Sequence, residues 1–159
     1  MLNFAPKAYF INYLNKKSEE SKAPVYSYMF ALDFDYDNGK PAWHCADIPF
    51  FFHNADLVPI CSIDGVTEKL EKEMAGSFIN FARTGNPNHN ELVNWPTYTP
   101  DNKATMVFDR TTEVRVDYDA KLVNLLRSLM PPFDFGAISM LLDADDADED
   151  EGELTPWVY

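Results

Sequence analysis

The chain has 159 residues, 26 acidic against 13 basic, and a formal net charge of −13, with 46% hydrophobic and 14% aromatic residues. One domain fits that length, and the apolar share can fill a packed core, which excludes wholesale disorder. The acidic surplus argues against nucleic acid as a partner, since phosphate binding needs a basic face, and no run approaches the about 18 apolar residues of a membrane span.

The charge is uneven. Residues 143–153 (DADDADEDEGE) hold eight acids and no base, leaving the rest of the chain at −5. Residues 1–130 therefore read as the folded part and residues 131–159 as an acidic, flexible tail. Asp143 and Asp145 start a calcium-loop spacing, but Ala147 at its fifth position and the lack of a glycine at its sixth break the pattern.

In chain order, Tyr9, Phe10, Tyr13 and Leu14 recur at helical spacing within residues 5–17. Residues 23–32 (APVYSYMFAL) are a dense aromatic and β-branched run after a polar linker, read as a strand buried on both faces. Asp33 to Pro41 has loop composition, and residues 42–59 are aromatic and irregular. Thr67 to Arg83 predicts a helix with Thr67 as N-cap, an apolar stripe of Leu70, Met74, Phe78, Ile79 and Ala82, and Gly85 as its stop. Residues 105–109 and 113–118 alternate around a short link, predicting a hairpin. A last helix over 120–129 is expected to turn Leu122, Leu125, Leu126 and Leu129 to the core, ending before Pro131-Pro132. One buried strand and a hairpin cannot complete a sheet, so the pattern looks like a piece of a larger α/β protein.

His44 stands out. It follows the buried strand in a loop, between Trp43 and Cys45 and three residues before Asp47. Sites in open α/β sheets lie beyond strand carboxyl ends, and an imidazole there can take and return a proton near neutral pH. Spacing alone leaves a second reading open, a histidine satisfied by hydrogen bonds in an aromatic loop. His53 and His89 read as solvent-facing loop residues. His44, Cys45, Asp47 and His53 fit no closed zinc spacing, so no metal and no cofactor are expected. Cys45 and Cys61 form no CxxC pair. They read as two reduced thiols, and with no leader and no glycosylation sequon a cytoplasmic location is expected.

Four segments in order, APVYSYMF, AWHCADIPFFFHN, FINFARTGNPN with WPTYTP, and TMVFD, resemble the C-terminal part of type-B carboxylesterases, a family including para-nitrobenzyl-esterase-like enzymes and cholinesterases. The resemblance implies the C-terminal part of an α/β-hydrolase fold, with an incomplete sheet and flanking helices. It also implies that His44 is the triad base of a serine esterase acting on a small-molecule ester. Asp47 would then be a supporting residue behind His44, with a plain loop cap as its rival, and Trp43, Phe50 and Phe51 would wall the substrate pocket, with core packing as the alternative for each Phe. The nucleophile of such enzymes sits in G-x-S-x-G with an HGG-type oxyanion loop, and the acid member lies between nucleophile and base in chain order. Neither motif occurs here, and the acids that precede the strand, Glu19 and Glu20 in a polar linker, read as surface charge. The nearest candidate, Ala75-Gly76-Ser77-Phe78-Ile79, lacks the flanking glycines and falls within the predicted helix. The chain is therefore expected to be inactive alone and to pair with the N-terminal part of the same fold, or with itself. A non-catalytic esterase-like interaction module is the alternative.

Overall fold

The computed structural model describes residues 5–129. The order is helix α1 (Ala5–Glu20), strand β1 (Ser27–Phe30), short strands β2 (Asp33–Phe34) and β3 (Lys40–Pro41), helix α2 (Ile48–Phe51), helix α3 (Thr67–Thr84), strands β4 (Ala104–Phe108) and β5 (Glu113–Val116), and helix α4 (Ala120–Leu129). Two 3-10 turns, Ala55–Leu57 and Pro59–Cys61, separate α2 from α3.

The sheet has the order β1-β4-β5. β1 runs parallel to β4, with Ser27 opposite Thr105 and Phe30 opposite Phe108, and β5 returns antiparallel to β4. The expected hairpin is thus present, and β4 lies at the centre with Met106, Val107 and Phe108 fully buried. β1 is shorter than the 23–32 run and is not buried on both faces: Ser27 is buried while Tyr28 is 42% exposed. It pairs only with β4 among the described residues, so its other edge lacks a neighbour. The 33–41 segment also departs from a plain loop. β2 and β3 pair as a small hairpin closed by Asp37, Asn38 and Gly39, all at positive φ, a conformation that Asn, Asp and Gly reach most easily.

α3 forms where its periodicity predicted it, and Gly85 ends it in the left-handed conformation at φ 74°, its N–H bonding Phe81 O. Thr67 is the first helical residue rather than the cap. Its hydroxyl donates to Cys61 O and accepts from Ile63 N–H at 2.8 Å, tying the helix start to the preceding turn. The predicted stripe is only half buried. Leu70 and Met74 enter the core, while Phe78, Ile79 and Ala82 are exposed. α4 shows a similar departure: Val123 is buried, but Leu122, Leu125 and Leu129 face outward. Both helices are patterned for more covering surface than the described residues supply.

The core gathers Leu32, Phe34, Phe50, Leu70, Met74 and Phe108 between sheet and α3. Buried aromatics of this size account for much of the area removed from water, each contributing roughly 1.5–3 kcal/mol.

Candidate functional site

His44 lies in the turn that joins β3 to α2. Ala46 N–H bonds Trp43 O at 3.1 Å and Ile48 N–H bonds Cys45 O at 3.2 Å, while Cys45 takes a left-handed φ of 68°. The tight turn leaves His44 and Cys45 exposed and drives Ala46 into the core. Aromatic packing brackets it. The Phe30 ring, at the end of β1, packs on Phe34 and on Phe50, and Phe34 in turn meets Trp43 at 4.7 Å between centroids. Lys40 Nζ sits 5.7 Å from the Trp43 ring centre.

Asp47 anchors the far side. Its carbonyl accepts from Phe50 and Phe51 N–H and starts α2, and its carboxylate makes no cap bond. Instead the Tyr28 hydroxyl donates to Asp47 Oδ2 at 2.9 Å, linking the turn to β1. Burial, then the hydrogen bond and negative charge of Asp47, push the Tyr28 phenol well above its usual range, so it remains a donor through the neutral region.

Beside this link is an apolar cleft of about 370 Å³ between α2, β1 and α3. Tyr28, Asp47, Phe51, Phe52, Phe78 and Phe81 contribute to its walls. Three residues expected at a substrate pocket thus go three ways. Phe51 lines this cleft. Trp43 does not, and stands half-exposed against Phe34. Phe50 is corrected to the core: it is fully buried, and adding chain around it can only bury it further.

The other histidines serve the scaffold. His53 is exposed as expected, with Nδ1 3.1 Å from Glu71 Oε2, and Glu71 Oε1 accepts the Ala55 N–H at 2.8 Å. His89 departs from expectation. It packs on α3 at Gly76, with Nε2 3.0 Å from Glu73 O and 3.4 Å from Ser77 Oγ. This Ser–His contact is not a nucleophile and its base. A carbonyl only accepts, so Nε2 carries the proton and cannot take one from Ser77. The Ser77 hydroxyl already donates to the same carbonyl at 2.6 Å, and it lies buried mid-helix rather than on a strand-to-helix elbow.

Cys45 and Cys61 are both unpaired thiols. Burial and then the Glu71 charge push the Cys61 thiol up, away from the reactive thiolate. Among the described residues, no cluster of three His, Cys, Asp or Glu is arranged to hold a metal, and no helix is long and apolar enough to cross a membrane.

Tyr28 and the α3 wall of the cleft escaped the sequence reading. Tyr28 and Asp47 are 19 residues apart, and no local spacing announces their bond.

The family model for the carboxylesterase family matches residues 5–126. The chain is 32% identical over 104 residues to para-nitrobenzyl esterase of Bacillus subtilis (strain 168), covering 61% of this chain and 20% of that protein. It is 33% identical over 106 residues to phenmedipham hydrolase of Pseudarthrobacter oxydans, covering 61% and 21%. In three dimensions it is similar to an esterase from anaerobic Clostridium hathewayi described as able to hydrolyse aliphatic aromatic polyesters. The TM-score is 0.68 at 44% identity, over 80% of this chain and 25% of that one. The chain therefore spans a fifth to a quarter of the relatives it matches. A three-stranded sheet among the described residues is what such a share of an α/β-hydrolase sheet leaves. This chain belongs to the carboxylesterase family.

Proposed function

We propose that the chain supplies the catalytic base of a serine carboxylic-ester hydrolase whose nucleophile, acid and oxyanion donors lie on another stretch of polypeptide. The observation that carries this reading is the position of His44, exposed on a turn bracketed by packed aromatics in a member of the carboxylesterase family. In the assembled site His44 accepts the proton of the attacking serine hydroxyl. It then delivers that proton to the leaving alcohol, and activates the water that hydrolyses the acyl-enzyme. Asp47 supports the turn, while Trp43 and Phe51 are the aromatic residues nearest the chemistry.

The partner in this reading is the N-terminal part of the same fold, docked on the free edge of β1 and the cleft beside it; without it the chain pairs with a second copy through the same surface. Residues 1–130 form the C-terminal segment of the esterase domain and 131–159 an acidic appendage. Two unpaired thiols fit a reducing compartment, so a cytoplasmic location belongs to the reading.

General-base help is worth roughly 10²–10⁴-fold, and most of the remaining rate gain comes from nucleophile and oxyanion donors. The 159-residue chain alone should thus hydrolyse p-nitrophenyl esters no faster than free imidazole. Fused behind the upstream part of the 44%-identical esterase, it should restore turnover, and His44→Ala should abolish it while leaving the fold intact. Turnover that survives His44→Ala in that fusion would overturn the proposal.

A further inference from the structure

We infer that Tyr28 is a positioning residue for His44, holding the 43–47 turn to β1 through Asp47. The inference rests on the reading of His44 as the base. The turn is fixed at its start by Trp43 on Phe34, and in its middle by Ala46 in the core. At its end the side-chain hydrogen bond is the one from the Tyr28 hydroxyl to Asp47 Oδ2. Tyr28 is well set to act as a fixed post. Its ring packs edge-on against Phe51 at 5.2 Å and against Phe108 at 6.1 Å, and its strand is bonded to the buried β4. The Asp47 backbone meanwhile opens α2, so pulling on this carboxylate moves the start of a helix and the turn before it together. A general base is effective only within hydrogen-bond reach of its proton, and small displacements of such a group are costly. Tyr28 touches none of the reacting atoms; it acts by keeping the His44 turn in one place.

Two measurements test this. In the 159-residue chain, Tyr28→Phe keeps the ring and removes only the hydroxyl. The Ala46, Ile48 and Phe50 amides should then exchange with deuterium about tenfold faster, the effect of one hydrogen bond to a charged group, while amides in the middle of α3 are unchanged. In the fusion described above, Tyr28→Phe should lower kcat about tenfold with KM within about twofold, and Asp47→Ala should match it. Asp47→Asn, whose amide oxygen still accepts, should recover most of kcat. The Tyr28→Phe/Asp47→Ala double variant should be no slower than either single change. A merely structural role would reduce the amount of folded enzyme and leave kcat per active site alone. Unchanged exchange, unchanged kcat, or Asp47→Asn as damaging as Asp47→Ala would each overturn the inference. His44→Ala separates the two ideas. Turnover surviving that change removes the base itself, whereas an inactive His44→Ala beside a fully active Tyr28→Phe removes only the positioning role.

Discussion

Gly76 gives the sharpest quantitative test of the scaffold. A Cβ built there would lie 2.8 Å from His89 Cε1 and 2.9 Å from Nε2, closer than carbon tolerates, so in Gly76→Ala the imidazole must move. Moving it breaks the 3.0 Å bond to Glu73 O and the weaker one that Nδ1 accepts from Glu91 N–H. Together the two are worth about 2 kcal/mol at most, and against them stands the gain of about 1 kcal/mol for alanine over glycine within a helix. Gly76→Ala should therefore destabilise the chain by about 1 kcal/mol. In a His89→Ala background the obstructing ring is gone, only the helix gain remains, and the same change should stabilise by about 1 kcal/mol. The sign reverses, and the coupling is about 2 kcal/mol. Urea unfolding of the four proteins, followed by far-ultraviolet circular dichroism, reads this as midpoint shifts of about half a molar in opposite directions. Equal effects of Gly76→Ala in both backgrounds would refute the packing argument.

Phe50→Ala should cost about 3–5 kcal/mol, because the ring is fully buried against Phe30 and Phe34, whereas Phe51→Ala should cost clearly less; urea midpoints compare the two. Cys45→Gly should raise the melting temperature slightly, since relief of roughly 1–2 kcal/mol at a left-handed φ of 68° exceeds glycine's entropic cost of about 0.5–1 kcal/mol. Tyr28 carries a pH signature. Its folded-state pKa is raised, so its share of stability is complete below pH ~10, where the unfolded phenol begins to ionise, and is lost as pH climbs toward the folded value. Tyr28→Phe should therefore lose less stability than the parent on going from pH 9 to pH 11, and an identical alkaline loss would contradict the hydrogen bond from Tyr28 to Asp47.

What the residues disclosed in advance were the elements with strong local signals. α3 declares itself by a period of 3.6 and a glycine stop, and the β4–β5 hairpin by alternation around a short link. What stayed hidden depends on residues far apart. The outward leucines of α4 and the exposed Phe78 and Ile79 carry the same periodicity as buried ones, because a helix is patterned for every surface it will meet. The reading of Phe50 and Phe51 as equivalent failed for a simple reason. Consecutive residues of a short helix point about 100° apart, so one fills the core while its neighbour lines the cleft. His89 was misjudged because its partner is the helix backbone itself, admitted by the missing side chain of Gly76.

The edge of β1 that no described residue pairs has a colloidal consequence. Ser27–Phe30 includes no lysine or proline, the residues that ordinarily blunt an edge against pairing with another chain, and exposed Phe52 and Phe78 line the same cleft as its Tyr28. Mutual repulsion is what keeps such surfaces apart, and here it resides largely in the acids of residues 143–153. Added salt shortens its reach to about 8 Å at physiological ionic strength, and acidification toward the isoelectric point near 4.4 removes it. Light scattering should accordingly rise with salt and more steeply as the solution is acidified, giving the chain a solubility governed by its most acidic stretch and an aggregation site at an edge strand without a charged residue.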